Sequence, residues 1–224
     1  MTKNLRPIRG KYHLLELIAQ GEHETQDFKY TVSDASKIAR SISAFANNSG
    51  GRLLIGVKDN GSIAGVRNEE DIYVVEQAAL SYCYPPQQPH FTSISAGNGL
   101  YVIIAEISPC PTRQVKAKDT DGTWKAYFRI KDENIPATDL MLQAWKTKHS
   151  AKSLTLSTDI SEKSVLSYID RQNPVSLDRI ALDNHISTHK ATEIICRLYA
   201  LELIDFTFSH RSFLITIADE HTGE

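Results

Sequence analysis

The sequence is poor in several things, and each shortage excludes something. It has only three cysteines, Cys83, Cys110 and Cys196. They are too widely spaced for a CxxC metal pair or a disulfide framework, so reduced, buried thiols of a cytoplasmic protein are the expectation. Neither sign of charge dominates: 25 Lys and Arg face 27 Asp and Glu, for a net charge of −2. A polycation that grips phosphate through bulk charge is excluded, and any nucleic-acid contact must come from local patches. No apolar run approaches the roughly 20 residues of a membrane helix, so no membrane partner is expected. The opening residues are not expected to form a signal peptide: their apolar stretch is short and broken by Glu16, and no small-residue cleavage site follows. There is no GxxxxGKS/T phosphate loop, and the eight histidines show no HExxH or paired metal spacing. Surface histidines are the expectation.

What is present reads as globular. The chain has 224 residues, 41% hydrophobic and 23% charged, enough for one large domain or two modest ones. A basic arm, Lys3, Arg6, Arg9 and Lys11, leads into a short helix with Tyr12, Leu15 and Ile18 near one stripe. Gln26 to Thr31 alternates as a strand, with Phe28 and Tyr30 on one face and Asp27, Lys29 and Thr31 on the other. Ser33 or Asp34 caps a helix with Ala35, Ile38, Ile42 and Phe45 inward, ended by Asn47, Asn48, Gly50 and Gly51. Gly50-Gly51 is expected to be a tight turn and Asn47 a helix-end residue, not a phosphate cradle and a ligand. Leu53 to Val57 is a buried strand, Asp59-Asn60-Gly61 a turn, and Ser62 to Gly65 a short returning strand. Glu69 to Tyr82 is a helix with Ile72, Val75 and Ala79 inward, followed by the breakers Pro85, Pro86 and Pro89. Tyr101 to Ile107 is a buried strand.

Lys125 to Lys131 alternates cleanly. Ala126, Phe128 and Ile130 are expected inward. Lys125, Tyr127, Arg129 and Lys131 form the other face, where cations interleaved with an aromatic suit a phosphate backbone and a base. Lys116 and Lys118, on the preceding loop, extend that patch. A helix from Thr138 to Trp145 closes the domain. Residues 146–158 are polar and expected to be a linker. A helix capped by Ser161, with Val165, Leu166 and Ile169 inward, follows. Next come a helix from Ser176 to Leu182, a turn over 184–187, a helix over 188–201 and a hairpin. In the third helix Ala191, Ile194, Ile195 and Leu198 share one face. That order predicts a winged helix-turn-helix. Thr188, Lys190, Thr192 and Arg197 lie off its apolar stripe, toward a major groove, with Arg211 at the wing tip. Residues 151–224 hold seven basic and eleven acidic residues. Such an acidic module suits dimerisation or protein docking, so more nucleic-acid contact is expected on the first domain, and a homodimer is expected. Strands and helices mix without a βαβ repeat, which predicts α+β, with domains at 1–145 and 159–224.

Three pieces, GEHETQDFK, AFANNSGGRLLIGVKDNGSIAG and YFRIKDENIPA, resemble the Schlafen AlbA-type domain family over about residues 12–145. The resemblance implies a mixed-sheet, DNA-binding domain of a kind widespread in bacteria. Members with a C-terminal winged helix are named transcriptional regulators. Animal members include RNA endonucleases, which implies a site of three carboxylates at Glu22, Asp27 and Asp59, with Asp27 in place of a glutamate. Three converging carboxylates call for a cation, and magnesium or manganese suits oxygen ligands. Such an ion activates water for strand cleavage, with Lys29 beside Asp27 to touch a phosphate. DNA-binding regulator, metal-dependent endoribonuclease and interaction module are therefore the three readings.

Overall fold

The computed structural model describes residues 8–66, 70–150, 160–209 and 212–218. They form an α+β chain of two compact units, Met1–Pro136 and Ala137–Glu224. In chain order the first unit contains β1 (Ile8–Arg9), α1 (Lys11–Ala19), β2 (Gln26–Lys29), α2 (Ala35–Asn47), β3 (Gly51–Ile55), α3 (Glu70–Ser81), β4 (Cys83–Tyr84), β5 (His90–Gly97), β6 (Leu100–Ile107), β7 (Lys116–Lys118), β8 (Trp124–Ile130) and β9 (Glu133–Pro136). The second contains α4 (Asp139–Ser150), α5 (Ile160–Gln172), α6 (Leu177–Asp183), α7 (Thr188–Ala200), β10 (Ile204–Ser209) and β11 (Ser212–Ile217).

Two sheets make the first unit. One has the order β1-β5-β6-β3-β2, the other β4-β7-β8-β9. In the five-stranded sheet the outer pairs β1–β5 and β2–β3 run parallel and the inner pairs antiparallel. Alternation along β3 sends Leu54 to one face, where α1 covers it with Leu14 and Leu17. It sends Leu53 and Ile55 to the other, against Ile38, Ile42 and Phe45 of α2 and Val75 of α3. The far side of α2 meets Cys83, Ala117 and Tyr127 of the four-stranded sheet, and Val115 just before β7. The layers are thus helix, sheet, helix pair, sheet.

Position between two sheets explains the composition of α2. Asp34 caps it, accepting from the N–H groups of Ser36 and Lys37, a contribution of about 1 kcal/mol. The apolar stripe is buried as its spacing predicts, but Ser36, Ser41, Ser43 and Asn47 are buried too. Small side chains allow a strand to approach the helix closely; Ser43 and Asn47 satisfy backbone atoms of Val115 and Tyr127, while Ser36 and Ser41 donate to the carboxylates of Asp34 and Asp27. Gly51 extends the close fit, since a Cβ there would run into the Phe45 ring.

Several expectations need correction. In α1 the buried pair is Leu14 and Leu17, while Tyr12 is 86% exposed and Leu15 43%. The stripe is displaced because the sheet, not the helix's own periodicity, selects the covered face. Strands β5, β7 and β9 arise where no strand or only a loop is expected. Ser62 to Gly65 supplies just one bridge, Val57 to Ile63. The helix expected to close the first domain runs on to Ser150 and packs along α7 in the second unit. It buries Met141, Ala144 and Trp145, and Lys148 pairs with Glu202 at 2.8 Å. The expected linker therefore begins inside α4, and its remainder, from 151, lies outside the described residues.

The rest of the second unit follows the expected order of helices and hairpin. Ser176 and Ser187 cap α6 and α7. Ala191, Ile194, Ile195 and Leu198 are all buried. Val175 exchanges both backbone hydrogen bonds with Ile215, at 2.9 and 2.8 Å, and so tethers the chain before α6 to the hairpin. Among the described residues no helix is long and apolar enough to cross a membrane.

Candidate nucleic-acid interface

Two of the three acids that the sequence singles out, Glu22 and Asp27, come together at the edge strand β2, where Asp27 meets the second sheet. Residues 27 and 29 share a face, and Lys29 Nζ lies 2.7 Å from Asp27 Oδ2. Arg129 reaches across from β8 and places NH2 3.4 Å from Asp27 Oδ1, with its side chain 1% exposed. Ser41 of α2 donates to Asp27 Oδ2 at 3.2 Å. Glu22 makes a side-chain hydrogen bond with Asp27 and accepts from the Phe28 N–H at 2.8 Å. Arg129 is further held by the carbonyl oxygens of His23 and Gln26, each at 3.3 Å, and by Asn134 Oδ1 at 3.0 Å.

These contacts divide the two acids. Burial pushes the Glu22 carboxyl up, and the hydrogen bond with Asp27 pushes it further. Burial acts on Asp27 in the same direction, but the Glu22 hydrogen bond and the charges of Lys29 and Arg129 outweigh it and hold Asp27 below the usual carboxylate range. As pH falls, Glu22 therefore takes up its proton before Asp27 does.

This donor set does not fit a magnesium or manganese ion. Each oxygen of Asp27 already faces a cationic side chain, and an incoming metal would be repelled by both. Asp59, exposed on the turn after β3, does not join the other two: among the described residues no three His, Cys, Asp or Glu side chains are grouped to hold a metal. The structure thus unites Glu22, Asp27 and Lys29 and leaves Asp59 apart.

The cationic face expected on β8 is buried at its centre, while Ala126, Phe128 and Ile130 are buried as expected, so the strand is covered on both sides. Tyr127 and Arg129 are 3% and 2% exposed, because α2 packs across their side of the strand. The Arg129 guanidinium lies 5.4 Å from the Phe45 ring centre. Alternation identifies the two faces correctly, but charge is a poor guide to exposure when a buried carboxylate waits for the arginine. Lys125 is exposed yet tied to Asp119 at 3.2 Å. Asp119 also takes Arg40 and the Tyr127 hydroxyl. The Thr120 N–H, Lys125 and Arg40 hold its carboxyl far below the usual range. Lys116, Lys118 and Lys131 are exposed, and no ion pair engages them among the described residues.

The expected groove-reading residues of the second unit are also largely engaged. Arg197 Nε lies 2.6 Å from the buried Glu162, and Lys190 is 3.7 Å from Glu193. Thr192 Oγ1 donates to the Thr188 carbonyl. Arg211, Lys3 and Arg6 lie outside the described residues, as does the Arg9 side chain; Lys11 is exposed.

One part of the arrangement escapes the sequence reading. Asn47 Nδ2 donates to the carbonyls of Val115 and Tyr127, at 2.8 and 2.9 Å, and Oδ1 accepts from the Val115 N–H at 2.7 Å. Asn48 clamps the Arg129 peptide in the same manner, through Nδ2 to its carbonyl at 2.8 Å and Oδ1 from its N–H at 3.2 Å. The paired asparagines are thus inter-element clamps that set Arg129 opposite Asp27. Their signal was there: two amides at a helix end, each able to donate and accept at once.

Fold and cluster together define an α+β protein whose central helix is clamped between two sheets, with a charge-paired acid at the edge of one. The family model described as Schlafen, AlbA_2 matches residues 22–138, more than half of the chain, and the chain belongs to that family. No curated protein matches it. Among solved structures, the crystal structure of the DIP2311 protein from Corynebacterium diphtheriae is similar, with 15% sequence identity and a TM-score of 0.43, over 85% of this chain and 34% of that one. The chain spans about a third of that protein's length.

Proposed function

We propose that this chain binds nucleic acid, DNA foremost, through the outer face of the four-stranded sheet, and works as a cytoplasmic transcriptional regulator without catalysis. Family membership supports a nucleic-acid-related function. The observation that carries the reading is the pair Lys116 and Lys118, exposed two residues apart on β7 and unengaged by any described acid. The second unit is proposed as a winged helix-turn-helix that pairs two copies of the chain. Its α7 turns outward a mixed-charge surface, His189, Lys190 and Glu193, which suits a protein neighbour better than a phosphate backbone. Light scattering on the eluting protein is expected to return the mass of a dimer.

For the K116A/K118A double variant, filter binding at two salt concentrations is expected to show weaker binding and a salt slope shallower by about 1 per lysine removed. Equal affinity and equal slope would remove these lysines from the interface.

The charge-paired state of Asp27 argues against the endoribonuclease reading. Structured RNA incubated with the protein and manganese is expected to stay intact, with wild type and Glu22→Ala indistinguishable. Cleavage by wild type that the substitution abolishes would restore the nuclease.

A further inference from the structure

Lysines are not the whole of this outer face. In the antiparallel pairing of β4 with β7, Tyr84 stands opposite Lys116. In that of β7 with β8, Lys118 stands opposite Trp124. Directly opposed residues lie on the same side of a sheet, as do residues two apart on one strand. Tyr84, Lys116, Lys118 and Trp124 therefore share one face. The rings confirm it: Tyr84 and Trp124 meet edge to face, with centroids 6.3 Å apart.

Both rings are open to solvent, Tyr84 at 59% and Trp124 at 42% exposure. Further along β8 the same face closes over, with Phe128 4% and Ile130 8% exposed. An aromatic pair left uncovered beside an otherwise buried stretch wants a flat, apolar partner. The nearest acids do not oppose an anionic one. Asp119 is occupied by Arg40, Lys125 and Tyr127, and Asp121 by Thr123 and Lys125. Flat rings flanked by uncommitted ammonium groups complement one chemistry in particular: nucleobases whose faces are free, strung on phosphates. A closed duplex hides those faces in its stack and presents only edges and backbone.

We propose that Tyr84 and Trp124 form a stacking platform for unpaired bases, with Lys116 and Lys118 holding the adjoining phosphates. The ligand of this face is single-stranded nucleic acid, or a strand with an opened segment. The proposal rests on the nucleic-acid reading of the face and adds to it the class of strand recognised.

Trp124 supplies its own probe. The chain has two tryptophans, and the other, Trp145, is 5% exposed. Titration of the full chain with a short oligothymidylate is expected to quench the emission of exposed Trp124, and the Trp124→Phe variant is expected to lose that quench while still binding. Trp124→Ala and Tyr84→Ala are each expected to weaken oligothymidylate binding about 10-fold, with much less effect on a mixed-sequence duplex. Circular dichroism and the urea midpoint are expected to match wild type, because both side chains are exposed. Wild-type binding of oligothymidylate that neither alanine variant weakens would overturn the platform while leaving nucleic-acid binding in place. So would binding confined to the duplex. Failure of the wild type to bind either nucleic acid at low salt would overturn the platform together with the reading it rests on.

Discussion

Asp27→Ala is expected to destabilise the protein by about 3 kcal/mol, the lower end of what breaking a buried ion pair costs. The substitution takes away the anion that faces Arg129, whose side chain is 1% exposed. Arg129 keeps three acceptors, the carbonyls of His23 and Gln26 and the Asn134 amide oxygen, which is why the upper end is not reached. Lys29 is less affected, being 31% exposed and able to turn to water. A domain of this size is expected to melt lower by roughly 6–12 °C. The Asp27→Ala/Arg129→Ala double variant is expected to lose less than the sum of the single losses, because the partners share one interaction. Strict additivity would mean that the pair contributes nothing as a pair.

Acid should change that loss in a defined direction. The folded-state carboxyl of Asp27 is depressed, so its contribution is present above the unfolded carboxylate range and is lost as pH falls through the folded value. The gap in stability between wild type and Asp27→Ala should narrow there. Glu22 is raised, and the sign reverses: its contribution is present at low pH and is lost as pH rises through its elevated value.

Asn47→Ala is the second large effect. Val115 N–H and the Tyr127 carbonyl each lose a buried partner, whereas the Val115 carbonyl keeps the Ser43 hydroxyl at 2.7 Å. Two orphaned backbone groups at roughly 1–3 kcal/mol each give an expected loss of about 3 kcal/mol. The measurement is the urea midpoint at unchanged m-value. Asn47→Asp should fare no better. It retains the acceptor for Val115 but offers no donor to the two carbonyls and puts a charge into the core. A midpoint near that of wild type for either variant would show that the clamp is dispensable.

How much of this was readable in the chain depends on whether the signal was local. The Asp34 cap, the apolar stripes of α2 and α7 and the helix–hairpin order of the second unit follow from spacing over a dozen residues, and tertiary packing did not override them. Short strands had no such support. β7 has three residues and β9 four, and β5 carries Thr92, Ser93 and Ser95 where apolar alternation would have marked it. Side chains on β8 show the deeper limit. Period two separates Tyr127 and Arg129 from Phe128 and Ile130, but only the arrival of α2 covers the first set as well as the second. The meeting of Asp27 with Arg129, 102 positions on in the sequence, belongs to topology. Lys29 was legible beside Asp27 from strand alternation, whereas Arg129, the other cationic partner, was not.

Helix α4 bears on how the chain is divided. A cut after 145 severs α4 within its span, Asp139–Ser150. The amino-terminal fragment would then carry the greasy residues Met141, Ala144 and Trp145 without the surface that shields them. The carboxy-terminal fragment would bare the flank of α7. Scission between Pro136 and Ala137 keeps α4 whole and beside α7, and any swap of this second unit between relatives should carry α4 along as its leading piece.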